Sequence, residues 1–263
     1  MTADGWTKAV RRQLALGRLL PLGGANDGAW ITERAAETVL RCGSAALRGL
    51  SLGQLRISPA DSDDSDDSDD SDDSDDSDEH DAAVPPPPSA LPPGRLRVTA
   101  DFAAVAGPTA EPFPAMAARL RTVLFATAAE RLGLRVTEVD LRVTHLWEGD
   151  EEPVCPAPEP PPAAAPPPAG DDDDESVRAA AAALSVPGVT HSTRRTTAIG
   201  GHIATGPALP RRHILLEVAV TAERRALDTA REVRAAVSEA LPDRPSVAVL
   251  ITAVTAAVPP PDR

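Results

Sequence analysis

Residues 111–147, EPFPAMAARLRTVLFATAAERLGLRVTEVDLRVTHLW, hold one helix, one glycine stop and one strand in succession. Phe113, Met116, Ala117, Leu120, Val123, Leu124, Ala128 and Leu132 recur at helical spacing. Arg119, Arg121, Glu130 and Arg131 mostly fall on the other side of the wheel. Pro112 and Pro114 suit an opening turn, where a missing N–H costs nothing. Gly133 stands where a left-handed C-cap residue is wanted. From Val139 the apolar residues alternate: Val139, Leu141 and Val143 share one face, and Asp140, Arg142 and Thr144 the other. That is the pattern of a strand with one buried face. The step from Val136 to Val139 breaks the period and predicts a turn or bulge near Thr137–Glu138.

The same pattern returns between Thr221 and Thr255. Ala226, Leu227, Ala230, Val233, Val237, Ala240 and Leu241 form a second apolar stripe that Pro242 ends. A β-branched run from Val247 to Val254 follows. Each copy is preceded by a strand-like segment, residues 95–102 and 212–220, so strand–helix–strand occurs twice and reads as an internal duplication.

Working outward, residues 18–22 (RLLPL) predict an edge strand, because Pro21 cannot donate to a ladder. Residues 30–42 (WITERAAETVLRC) predict a helix with Thr32 as N-cap and Ala35, Ala36, Val39 and Leu40 inward. Residues 52–57 predict a strand. The Ser-Asp-Asp run from Asp61 to Asp81 has no apolar groups to pack and its acids repel one another, and with the proline-rich stretch after it predicts disorder. A tandem repeat expanded inside a tolerant loop accounts for them, since long loops are entropically cheap. Beyond a second acidic, proline-rich stretch, Ser176 is a candidate N-cap for a helix with Val177, Ala180, Ala181 and Leu184 inward. Residues 189–195 predict a weak strand.

The expected fold is α+β: two related helix–strand–strand–helix–strand modules, each a small three-stranded sheet with helices on one face and its own core. The expected boundaries are 1–147 for the first module, with a disordered insertion at 58–94, then 148–175 for the linker and 176–263 for the second module.

The 263 residues carry 42% hydrophobic but only 2% aromatic side chains, so the core must be built from Ala, Val and Leu. The formal charge of −14 is unevenly spread. Removing the 24 acids of the two acidic stretches leaves 16 against 26 bases, and all the bases but Lys8 are arginine. Cys42 and Cys155 form no CxxC and fit a reducing compartment. A short basic amphipathic segment around Trp6, Val10 and Leu14 is expected to pack on its own domain. No signal core or membrane-length apolar run is present, and the expected location is cytoplasmic.

No constellation for catalysis emerges. His80, His145, His191, His202 and His213 are scattered, without HxH or HxxxH spacing. Nucleophile-elbow, P-loop and dinucleotide motifs are missing, and the glycines at Gly200, Gly201 and Gly206 precede no helix N-terminus. The expectation is a protein that is not an enzyme and has no catalytic, cofactor or metal residues. Arg224, Arg225, Arg231 and Arg234 on one helix form a candidate basic interaction face, with Arg194, Arg195, Arg211 and Arg212 near strand ends. Such a face leaves open a nucleic-acid-binding module covered by its acidic runs, although stacking aromatics and a GxxG loop are missing.

WITERAAETVL, a hairpin ending near Gly107, the helix from Pro112 and the closing Gly133, Leu134, Val136, Val139, Leu141 and Val143 together resemble the alkaline-shock-protein / general-stress family of envelope stress response proteins. The second module is similar more loosely: its closing strand lacks the Val136–Val139 gap. The whole is also similar to actinobacterial proteins that carry a nucleopolyhedrovirus fibrous-body name. The resemblance implies a non-enzymatic cytoplasmic protein that self-associates or binds a protein partner and docks at the membrane through that partner.

Overall fold

The computed structural model describes residues 16–60, 84–108, 110–148, 174–195, 213–242 and 244–255. They form β1 (Leu19–Leu22), β2 (Ala29–Thr32), α1 (Glu33–Ser44), β3 (Leu50–Pro59), β4 (Leu96–Val105), α2 (Phe113–Ala126), β5 (Val136–Trp147), α3 (Asp174–Leu184), β6 (Val189–Arg195), β7 (His213–Thr221), α4 (Ala226–Ala240) and β8 (Ser246–Thr255). The architecture is α+β with two sheets, ordered β3-β4-β5 and β1-β2-β8-β7-β6.

The order helix, strand, strand, helix, strand occurs twice, with the same pairings. β3 and β4 are antiparallel and β4 and β5 parallel; β6 and β7 are antiparallel and β7 and β8 parallel. Both third strands carry a bulge at the same place. The register skips Thr144 between Val143 and His145, and Thr252 between Ile251 and Ala253. β5 has a further bulge at Thr137, which the broken period of Val136 and Val139 predicts. β8 runs without it from Ser246 to Ile251.

α2 buries Met116, Leu120 and Leu124, then widens into a π-helical turn at Thr127–Leu132 that buries Ala128 and Leu132. Gly133 closes it at φ 90° and ψ 25°. α1 begins after Thr32, whose hydroxyl accepts the Ala35 N–H at 3.3 Å. Trp30 and Ile31 are therefore strand and not helix.

Further expectations are corrected. First, the second sheet has five strands and not three, and residues 19–32 belong to it although they lie within the expected first module. β2 pairs parallel with β8 through Ala29↔Val249, Trp30↔Leu250 and Ile31↔Ile251, and β1 is the edge strand beyond it, with Pro21 opposite Trp30. Every residue of β1 and β2 is buried, so these strands fit only where both faces are covered. The inner face meets the helices. The outer face, with Leu19, Trp30, Leu215, Ala248 and Leu250, is covered by Val84 and Ala90.

That contact is the second correction, to the insertion at 58–94. β3 extends to Pro59, and on the far side the Leu19 N–H donates to the Ser89 carbonyl while the Leu91 N–H donates to that of Leu19. Residues 84–91 are thus a strap across β1. The acidic run Asp61–Asp81, residues 149–173 of the linker and the segment around Trp6 lie outside the described residues.

Third, α3 starts at Asp174, leaving Ser176 inside the helix, and it buries Ala179 and Ala183. Val177 is 56% and Leu184 50% exposed. In a helix this rich in alanine the stripe is set by close approach to α4, which small residues allow, and not by the largest side chains.

A separate core per module is also not what forms. The apolar faces of both sheets and all four helices meet in one continuous cluster, and α1 packs on β3 of its own module and on β8 of the other. The seam is tight at Gly133, where an added Cβ would lie 2.6 Å from the Leu227 Cβ of α4.

Candidate interaction surface

Of the four arginines that the sequence assigns to one helix, Arg224 and Arg225 precede α4, Arg225 as its N-cap, and only Arg231 and Arg234 stand on it. Arg224 forks onto both carboxylate oxygens of Glu232 and donates to the Pro187 carbonyl at 3.0 Å. Arg225 donates to the Ala129 carbonyl at the end of α2, 2.9 Å away. Arg131 answers from the first module with a bond to the Ala222 carbonyl at 3.0 Å. Arg231 binds the Asp27 carboxylate at 2.7 Å, and Arg234 the Asn26 carbonyl at 2.6 Å.

These bonds staple the β1–β2 turn and the first module onto α4. Burial pushes the Asp27 carboxyl up, but the bond from Arg231, the Gly24 N–H at 2.8 Å and the charges of Arg231 and Arg234 outweigh it. The net effect holds Asp27 below the usual carboxylate range. The fork from Arg224 likewise lowers Glu232. Three of the four guanidiniums bond backbone carbonyls, at Pro187, Ala129 and Asn26, and no sequence pattern marks such acceptors. The side chains of Arg194 and Arg195, and all of Arg211 and Arg212, lie outside the described residues.

The scattered histidines stay apart. His145 and His191 are exposed on β5 and β6. His213 contacts the Ser246 hydroxyl, and burial lowers its pKa. His80, His202 and Cys155 lie outside the described residues, and Cys42 is a free, exposed thiol on α1.

What the sequence does not single out is the outer edge of β5. Among the described residues no strand pairs with it. Val143 is 39% and Leu146 56% exposed, although the register sets them beside the buried Phe102 and Ala104. A helix joining parallel strands runs antiparallel to them, so α2 starts at the end of the sheet where β5 finishes. Its first residue, Phe113, which the helical period assigns to the buried stripe, is 38% exposed there. Phe113, Val143 and Leu146 thus make an apolar margin along an open strand.

The opposite edge of the same sheet is closed by side chains. Arg18 donates to the Ile57 carbonyl at 3.0 Å, Glu33 accepts the Ile57 N–H at 3.0 Å, and Arg41 donates to the Leu52 and Gly53 carbonyls. On β5 one such bond is present, from Arg121 to the Val139 carbonyl at 3.1 Å. No helix of the described residues is long and apolar enough to cross a membrane. No family model, curated protein or solved structure matches the chain.

Proposed function

We propose that this chain is a non-enzymatic interaction protein whose working surface is the open edge of β5 with its apolar margin. The observation that carries the reading is an edge strand of 12 residues that no strand pairs among the described residues, while the corresponding strand of the other module is covered. Natural sheets shield such edges unless something pairs with them. The arginines support the same reading, because Arg225, Arg231 and Arg234 are engaged with residues of the first module. The resemblance of the sequence to the envelope-stress family adds an expected setting: a cytoplasmic protein, peripheral to the membrane through a protein partner.

Sedimentation of the tagged full chain from its native lysate, with nuclease and high salt, tests this. The expected result is association that survives nuclease and is lost when Val143 and Leu146 are both changed to Asp. Release by nuclease alone would overturn the reading in favour of a nucleic-acid-binding module.

A further inference from the structure

The regular part of β5 lies between its two bulges and reads Val139-Asp140-Leu141-Arg142-Val143. Taken from either end, the apolar residues fall at the same places and the charges are opposite. A strand of this kind is complementary to itself when turned round. We propose that the open edge of β5 pairs antiparallel with the same edge of a second copy of this chain, centred on Leu141, so that two three-stranded sheets become one of six strands. The proposal names the partner of the surface described above and rests on that reading.

The backbone fits this pairing. Arg121 reaches the Val139 carbonyl from outside the sheet, so that carbonyl faces away from β4. With the alternation of a strand, Val139, Leu141 and Val143 turn their N–H and C=O groups to the open edge. In the proposed register Leu141 stands opposite Leu141 of the second copy, and Val139 opposite its Val143. Both are hydrogen-bonded pairs, and the apolar side chains extend the layer beneath α2. The Val139 carbonyl keeps a second lone pair beside the bond from Arg121.

The charges fit only this orientation. Asp140 falls opposite Arg142 of the second copy, and Arg142 opposite its Asp140, which gives two cross-strand ion pairs. The Asp140 side chain is 62% exposed and 3.6 Å from Arg97. Arg142 is exposed and makes no ion pair among the described residues. A two-fold axis through Leu141 is the isologous geometry of most homodimers. Sliding the register by two residues sets Asp140 opposite itself or Arg142 opposite itself, and like charges directly opposite are unfavourable.

Sedimentation equilibrium of the purified full chain over a range of concentrations tests the pairing, using Asp140→Arg and Arg142→Asp. The wild type is expected to dimerise, and each variant alone to dimerise roughly ten-fold more weakly or worse, because two attractive pairs become repulsive. An equimolar mixture of the two variants should dimerise as a heterodimer, since every facing pair is again opposite in charge. The doubly exchanged chain, carrying both changes, should recover as well. Leu141→Pro, whose missing N–H an edge strand tolerates, should abolish the dimer while leaving the fold intact.

Wild-type protein that stays monomeric throughout, or variants that dimerise as the wild type does, would overturn the pairing. Monomeric protein that still associates through β5 in the lysate would overturn only the second copy as partner. Monomeric protein whose lysate association ignores β5 would overturn both readings.

Discussion

The third strands of the two modules, β5 and β8, occupy equivalent places yet meet opposite surroundings. Register equates Val139 with Val247, Leu141 with Val249 and Val143 with Ile251, since each pair faces corresponding residues of β4 and β7. Val247, Val249 and Ile251 are all buried, and Val143 is 39% exposed. The cause is β2, which pairs along the outer edge of β8. Even the shared bulge differs. The Thr252 carbonyl accepts a bond from the Thr32 hydroxyl at 3.3 Å, whereas Thr144 is exposed. The fold therefore shows, within one molecule, how this kind of edge is closed by an added strand, and among the described residues the other one stays open.

That contrast can be broken at four places, starting with the largest effect. Ile251→Ala empties a fully buried site under β2 and should cost about 2–5 kcal/mol in chemical denaturation, more than any substitution on the edge of β5. Gly133→Val should cost about 2–4 kcal/mol. It forces a β-branched residue to φ 90° and drives its side chain into Leu227 where the modules meet.

Asp27→Asn loosens the turn that holds β2 against β8 and should cost about 1–2 kcal/mol at neutral pH. The folded pKa of Asp27 is lowered, so its contribution is present above the unfolded value and fades as pH falls through the folded one. A pH series of unfolding midpoints should show the difference between wild type and Asp27→Asn shrinking in acid. Val143→Ala is the smallest, within about 0.5 kcal/mol for the dilute chain, because the side chain is already partly in water.

Much of the fold is legible in the sequence because local periodicity and punctuation set it. The alternation of Val139, Leu141 and Val143, the cap at Thr32, the left-handed Gly133 and the bulge after Val136 each need only a few neighbouring residues. What is not legible depends on partners distant in the chain. Nothing near Ala29 announces that it will pair with Val249, and a short run buried on both faces is compatible with any sheet that covers it.

The stripe of α3 is ambiguous because alanine fills the five successive positions 179–183 of its 11, and contact with α4 decides which face turns in. The candidate site divides the same way. Arg231 and Arg234 stand on α4 as their spacing requires and Arg224 and Arg225 fall just before it, but a solvated arginine and one bonded to a distant carbonyl look alike in a sequence. The open edge of β5 escapes notice because its pattern matches that of a strand with one buried face. Only the topology shows that no strand of the described residues stands beside it.

The most direct test of the account is amide hydrogen exchange at two protein concentrations, read over β5 and β8 in the same sample. Pairing between copies predicts that the amides of Val139, Leu141 and Val143 exchange slowly in concentrated protein and quickly in dilute protein, while those of Val249 and Ile251 stay protected in both. Exchange on β5 that is equally fast, or equally slow, at both concentrations would contradict it.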